Sequence, residues 1–348
     1  MAQLSAKALA FQPPQKRPLW TSVLIHAVLG FWSLVCLFPL YWVVVTSLKG
    51  ETDIIAGPYY LPYFDFTPKL QAWIAILSYS NDHLVMRFYN SAFVGIVSTF
   101  MTVLTGGLAV YGLTRFRYKV PWSRLLLVLI AVSLVGVATF LPISLLQFLF
   151  AVIALALIFL AAQRKQFGPT LENEGIVTAI LATRILPPIV VVLPIYMMAL
   201  YAGLLDSRVT LIVTYTAANL PVAIWLLMPV FGNTATPQEE AAQLDGASHF
   251  LIFFNIFLPM VAASMAAVGM IVFILCWNEY LFAVYLASDS VSTMPPWVIG
   301  QMSIKEAQVG GDSQEWPQLS AAIIFMVTPV LACTGLAQRY LSQLSRRR

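Results

Sequence analysis

Uninterrupted apolar runs of bilayer length restrict this chain to very few folds. A hydrocarbon slab about 30 Å thick takes roughly 20 helical residues to cross. Eight windows read as such spans, at roughly 22–46, 91–114, 124–142, 146–162, 176–203, 209–231, 261–286 and 318–340. Backbone groups in lipid must be satisfied within their own segment, so each window reads as a helix. The chain is 60% hydrophobic and 10% charged, against about 25% charged residues in soluble domains, and the surplus apolar surface must face lipid. The expected fold class is an all-α polytopic membrane protein.

The first window follows a polar tail holding Lys7, Lys16 and Arg17 and is about twice the length of a signal-peptide core, so it reads as a retained helix. Placing the amino terminus in the cytoplasm puts thirteen Lys and Arg inside, among them Arg115, Arg117, Lys119, Arg164, Lys165 and Arg339, and five outside (Lys49, Lys69, Arg87, Arg208, Lys305). That asymmetry predicts both termini on the cytoplasmic side. The connections at about 47–90 and 287–317 are then extracytoplasmic. Their Pro, Gly and aromatic residues, as in Gly57-Pro58-Tyr59-Tyr60-Leu61-Pro62-Tyr63 and Pro295-Pro296-Trp297, predict ordered surface loops.

Several chemistries find no support. Cys36, Cys276 and Cys333 fall inside apolar runs without a CxxC spacing, and His26, His83 and His249 show no ligand spacing, so neither a disulfide framework nor a metal site is indicated. No GxxxxGK[ST] phosphate loop and no Ser/His/Asp arrangement can be assembled. A net charge of +4 gives no nucleic-acid argument, because basic residues in such chains mark membrane sidedness. The chain reads as non-catalytic.

One inside loop is unusual. Residues 232–249, Gly-Asn-Thr-Ala-Thr-Pro-Gln-Glu-Glu-Ala-Ala-Gln-Leu-Asp-Gly-Ala-Ser-His, contain no Lys or Arg. Thr236 suits an N-cap, Pro237 the first helical position, and Glu239 completes a capping box, so a short helix is expected. Gly246 permits that helix to end or turn. The apolar run from Phe250 through Phe253, Phe254 and Phe257 to Leu258-Pro259 would hold a second arm against the membrane helices, leaving the first arm exposed to a partner.

Glu240-Ala241-Ala242, then Gly246, then Ile256 and Leu258-Pro259, resembles the EAA loop of ABC importer permeases with every defining position filled. Thr183-Arg184-Ile185-Leu186-Pro187-Pro188, Leu193-Pro194-Ile195-Tyr196, Gly203-Leu204-Leu205-Asp206, Asn219-Leu220-Pro221 and Trp277-Asn278-Glu279-Tyr280 resemble the carbohydrate branch of that family, the group of the maltose-type small permease. The resemblance covers about 20–118 and 176–342. It implies that the loop is a coupling helix docking into a cleft of an ATPase subunit, with Glu239, Glu240, Ala241, Ala242, Asp245, Gly246, Leu258 and Pro259 as coupling residues. It further implies a second homologous permease, two ATPase subunits that carry the ATP and Mg, an extracytoplasmic solute-binding protein, and a sugar- or polyol-type solute. No cofactor is expected on this chain itself.

The family core has six helices, so the segment 121–170 reads as an inserted helical pair, making about eight spans; an even insertion preserves downstream sidedness. The expected organisation is a cytoplasmic tail at 1–21, permease at 22–120, the insertion at 121–170, permease at 171–342 with the coupling loop at 232–260, and a basic tail at 343–348. The tail ends at Ser345-Arg346-Arg347-Arg348, without the glycine-containing extension common in the family.

A hydroxyl-rich solute needs a polar lining inside an apolar bundle. Intramembrane charges are costly and mark function by default, which singles out Arg184 and Glu279. Counted along continuous helices, their depths differ by roughly 15 Å at 1.5 Å per residue, predicting separate roles over one salt bridge. Arg184 could equally cap carbonyls near Pro187 and Pro188, and Trp277, Asn278, Glu279 and Tyr280 could be an interfacial anchor or line the pathway. Tyr196 and Asn219, beside Pro194 and Pro221, complete the candidates on helices expected to kink. A prokaryotic plasma (inner) membrane location follows from the resemblance. An ion-coupled secondary carrier is the alternative, which should show several intramembrane acids where only Glu279 stands out.

Overall fold

The computed structural model describes residues 19–78, 81–121, 144–163, 170–234, 237–288, 290–306 and 315–346, with scattered positions between 124 and 134. The chain divides into two compact units, Met1–Ile76 with Gly310–Ile324 and Leu77–Val309 with Phe325–Arg348.

In the first unit, α1 (Leu19–Ser47) exposes its apolar residues along most of its length, as a lipid-crossing helix should. After it come α2 (Glu51–Ala56) and the start of α3 (Gln71–Ser78). Between these helices Asp65 accepts the Leu61 and Tyr60 amides, both at 2.8 Å, which holds its carboxyl below the usual range. Lys49 is buried with its ammonium 4.4 Å from the Trp42 ring centroid and 5.7 Å from that of Phe66. The first expected outer connection is thus ordered over its described part.

The second unit begins with α4 (Asn81–Arg115), which starts ten residues ahead of the predicted window at 91. It is followed by β1 (Val120–Pro121), α5 (Ser144–Gln163), β2 (Thr170–Leu171), α6 (Asn173–Ala182) and a 3-10 turn at Thr183–Ile185. Then come α7 (Pro188–Tyr201), α8 (Arg208–Gly232), α9 (Pro237–Leu244), α10 (His249–Ile252) and a π turn at Phe253–Phe257. The remainder is α11 (Leu258–Trp277), α12 (Leu281–Leu286), α13 (Met294–Glu306) and α14 (Glu315–Arg346), the last divided in sequence between the two units.

Among the described residues five helices are long and apolar enough to cross a membrane, and a sixth crossing is a bent pair. Five or six of the expected eight spans are thus found in the part described. The window at 124–142 lies largely outside the described residues, and the window at 146–162 falls within the 20-residue helix α5. The window at 176–203 is two helices, α6 with its 3-10 extension and α7, meeting at 89°. Pro188 cannot donate a helical hydrogen bond and Pro187 disfavours α geometry at the residue before it, so Leu186 turns extended (φ −64°, ψ 128°). The window at 261–286 is likewise interrupted, at Asn278–Tyr280 between α11 and α12.

Helices α4, α8 and α11 form the core of this unit, with Val94, Val110, Leu211, Leu227, Val261 and Val272 buried between them. Small residues let them approach: a β-carbon on Gly106 would stand 3.3 Å from that of Ala223, and one on Gly107 2.9 Å from the Met265 methyl. Thr102 and Thr105 return their hydroxyls to carbonyls one turn back, so neither of these two donors is stranded.

The two ends of the stretch between β1 and β2 meet. Val120 pairs with Leu171 and Pro121 with Thr170 in an antiparallel two-residue ribbon. Asn173 accepts the Tyr118 amide at 2.7 Å and donates to the Leu113 and Phe116 carbonyls at 2.6 and 2.7 Å. The chain therefore leaves and rejoins the helical core at one place.

Asp206 joins the α7–α8 turn to the segment after α12. Its carboxylate accepts from the Ser288, Ser290 and Val291 amides and from the Ser290 hydroxyl, and its own amide donates to the Leu286 carbonyl at 3.0 Å. Burial would raise this carboxyl, but the hydrogen bonds from Ser290, Ser288 and Val291 outweigh it and hold the group below the ordinary range near about 4. A depressed folded-state pKa contributes stability above the unfolded value that is lost as pH falls through the folded one. Amide-exchange protection at Ser288, Ser290 and Val291 should accordingly be constant at neutral pH and drop below about pH 4. In Asp206→Asn it should be weak at every pH; an undiminished Asn variant would refute the clamp. Beside it, Arg208 donates to Asn90 Oδ1 at 3.1 and 3.2 Å, and Asn90 Nδ2 donates to the Ser290 and Ser292 carbonyls.

Candidate functional site

The loop singled out by sequence folds as a two-armed element. Helix α9 is its exposed arm: Gln238, Glu240, Ala241, Gln243, Leu244 and Asp245 face outward, Leu244 at 90% exposure, while Ala242 is half-buried. Thr236, expected as its N-cap, lies outside the described residues. The far end closes as predicted at Gly246, whose φ of +84° suits glycine. The Ala247 amide donates to the Ala242 carbonyl at 2.9 Å and the Gly246 amide to that of Gln243 at 3.0 Å, a complete Schellman turn. Ser248 then caps α10 through the Leu251 amide.

Glu239 alone on α9 points inward, only 2% exposed. Its carboxylate takes two hydrogen bonds from Arg115 at the end of α4, Nη2 to Oε1 at 2.8 Å and Nε to Oε2 at 2.9 Å, and a third from the Tyr111 hydroxyl at 3.3 Å. The Arg115 guanidinium lies 5.1 Å from the Phe257 ring centroid and donates to the Phe231 carbonyl at 3.4 Å. A forked, charge-assisted pair over an aromatic floor fixes position as well as charge. That floor is Tyr111, Phe231, Phe253 and Phe257, with centroids 4.7–6.3 Å apart along its contacts.

The second arm enters the core through the π turn. Pro259 has no amide to donate and its ring crowds the Asn255 carbonyl, so the turn widens and the Leu258 amide reaches back to Phe253. This widening seats Ile252, Phe253 and Phe257 inside while Phe250 and Leu251 stay exposed. Leu258, half-buried, and Pro259, exposed, stand where the second arm runs into α11.

The two intramembrane charges meet at another place. Arg184, in the 3-10 turn, and Glu279, in the α11–α12 break, line one cavity of about 450 Å³ together with Thr183, Thr214, Ala218 and Pro221. They form no ion pair. Arg184 Nη1 donates to the Ala218 carbonyl at 2.8 Å, next to the carbonyl that Pro221 deprives of its helical donor. Glu279 Oε1 accepts the Phe282 amide at 3.2 Å.

The other solute candidates lie elsewhere. Asn219 is buried, bonded to the Tyr215 carbonyl and Cys276 Sγ. Trp277 is buried against Phe88 and Phe273 and donates to the Met326 carbonyl at 2.9 Å. Asn278 donates to the Ile274 carbonyl and ends α11, Tyr196 packs on the core, and Tyr280 is exposed. Sequence reasoning missed Arg115 and Tyr111, counted only as an inside base and an apolar residue. It also missed Thr214, one of three threonines in the first turns of α8. No cluster of three or more His, Cys, Asp or Glu occurs among the described residues.

A buried anchor thus carries an exposed, proline-started, glycine-ended helix beside a bundle of broken spans. Residues 171–347 match the binding-protein-dependent transport system inner membrane component family, just over half of the chain. The chain belongs to that family and is a permease subunit of an ABC importer. Relatives include the diacetylchitobiose uptake system permease protein NgcG of Streptomyces coelicolor, 27% identical over 90% of this chain and 84% of the relative. Another is the trehalose/maltose transport system permease protein MalG of Thermococcus litoralis, 24% identical over 89% of each. A solved bacterial ABC transporter involved in the import of the acidic polysaccharide alginate shares the fold, with a TM-score of 0.61 at 16% identity, covering 95% of this chain and 99% of that one.

Proposed function

We propose that this subunit forms part of the translocation pathway for a sugar or sugar-like solute and is driven by ATPase subunits that dock on α9. The observation that carries the reading is α9 itself, an exposed helix held to α4 by the buried Arg115–Glu239 pair. ATP-dependent closure of the docked subunits would push on Glu240, Ala241, Leu244 and Asp245, and the ion pair and π turn would pass that push to α4 and α11, biasing a two-state bundle. The complete importer would hold a second homologous permease, two ATPase subunits carrying ATP and Mg, and an extracytoplasmic binding protein. This chain would hold no cofactor, lie in a prokaryotic inner membrane and keep both termini in the cytoplasm. The glycosides named for the relatives support a sugar- or polyol-type cargo.

The test is gentle detergent purification of the tagged chain from its native cell, with identification of its companions. An ATPase bearing a GxxxxGK[ST] loop and a second multi-span permease are expected; a clean homo-oligomer would overturn the proposal and favour an ion-coupled carrier.

A further inference from the structure

We infer that Arg184 and Glu279 together form the solute-recognition clamp of this subunit, and that its cargo is an uncharged polyhydroxylated molecule; the inference rests on the transport reading above. Both helix breaks, the 3-10 turn after α6 and the Asn278–Tyr280 interruption, open onto the same cavity. Broken helices beside a cavity are where transporters expose polar groups to cargo.

The two charges are poised and not spent on each other. Arg184 gives one described hydrogen bond, to Ala218, and Glu279 accepts one, from Phe282. The remaining guanidinium donors and the second carboxylate oxygen have no hydrogen-bond partner among the described residues. Thr214 adds a hydroxyl on the same wall, and Leu186, Val191, Ile195 and Phe282 supply apolar surface. A volume of about 450 Å³ falls within the roughly 300–1,000 Å³ of small-molecule sites.

Charge decides the class of ligand. A guanidinium offers paired donors and a carboxylate offers only acceptors, and a molecule carrying several hydroxyls, which both donate and accept, suits both groups. An anionic solute would be attracted by Arg184 and opposed by Glu279, and a cationic one the reverse. Membership in the family leaves this open, since relatives are named both for neutral glycosides and for the sulfonated sulfoquinovosyl glycerol, and the solved neighbour handles an acidic polysaccharide.

The test uses the assembled transporter in native membrane vesicles, with Cys36 and Cys333 replaced by Ser. Arg184→Cys and Glu279→Cys are labelled with a cationic and an anionic methanethiosulfonate of similar size. If both residues face one aqueous cavity, Arg184→Cys, which keeps Glu279, favours the cationic reagent, and Glu279→Cys, which keeps Arg184, favours the anionic one, each by about tenfold or more. Failure of either thiol to react, or the same preference in both variants, overturns the clamp whether or not an ATPase is present. Uptake of labelled trehalose and glucuronate by the unmutated complex gives the second readout. Preference for trehalose supports the neutral class, and preference for glucuronate contradicts it.

Discussion

Glu239→Ala should detach α9 from the bundle and abolish ATP-driven uptake while the helical core stays folded. The substitution strands Arg115, a guanidinium with a side chain only 14% exposed, and breaking a buried pair from one side costs about 3–5 kcal/mol. Arg115→Ala should do the same from the α4 side. The double variant Arg115→Met with Glu239→Leu removes both charges and should destabilise less than either single change, because no buried charge is left alone. Thermal unfolding of the purified chain and amide exchange along α9 measure this. Wild-type protection of α9 in Glu239→Ala would refute the anchor.

Gly246→Val should uncouple hydrolysis from transport. A β-branched residue held at φ +84° costs roughly 1–2 kcal/mol, a factor of about 5–30 between the formed and frayed turn. The Ala247–Ala242 and Gly246–Gln243 hydrogen bonds would open, and the outer face of α9 would lose its fixed end. ATP hydrolysed per solute moved should rise in Gly246→Val and only slightly in Gly246→Asn, since asparagine tolerates this backbone region. Equal coupling ratios in wild type and Gly246→Val would contradict the role given to the turn.

The outer arm of the coupling element was legible because its signals are local. Pro237 at the helix start and Gly246 at its end act on their own backbone, and both are where they were expected. The inward face of that arm was not legible. Glu239 and Glu240 are adjacent acids, and only the packing of α9 on the π turn decides that Glu239 meets Arg115, 124 residues earlier. The depth argument for Arg184 and Glu279 predicted no salt bridge and none forms, but for a related reason it did not foresee their shared cavity. It measured along continuous helices, whereas Pro187-Pro188 and the Asn278–Tyr280 interruption break both, and the breaks bring the two side chains to one cavity. Proline announced the first break. Nothing in the apolar pattern around Trp277 announced the second.

The most direct test of the account is a disulfide or short thiol cross-link from α9 in the assembled importer. Leu244→Cys places a thiol on an outward-facing position of the arm that is 90% exposed. The account predicts a cross-link to the ATPase subunit whose yield changes when ATP is added. An intact complex in which Leu244→Cys reaches no ATPase, with or without nucleotide, would contradict it.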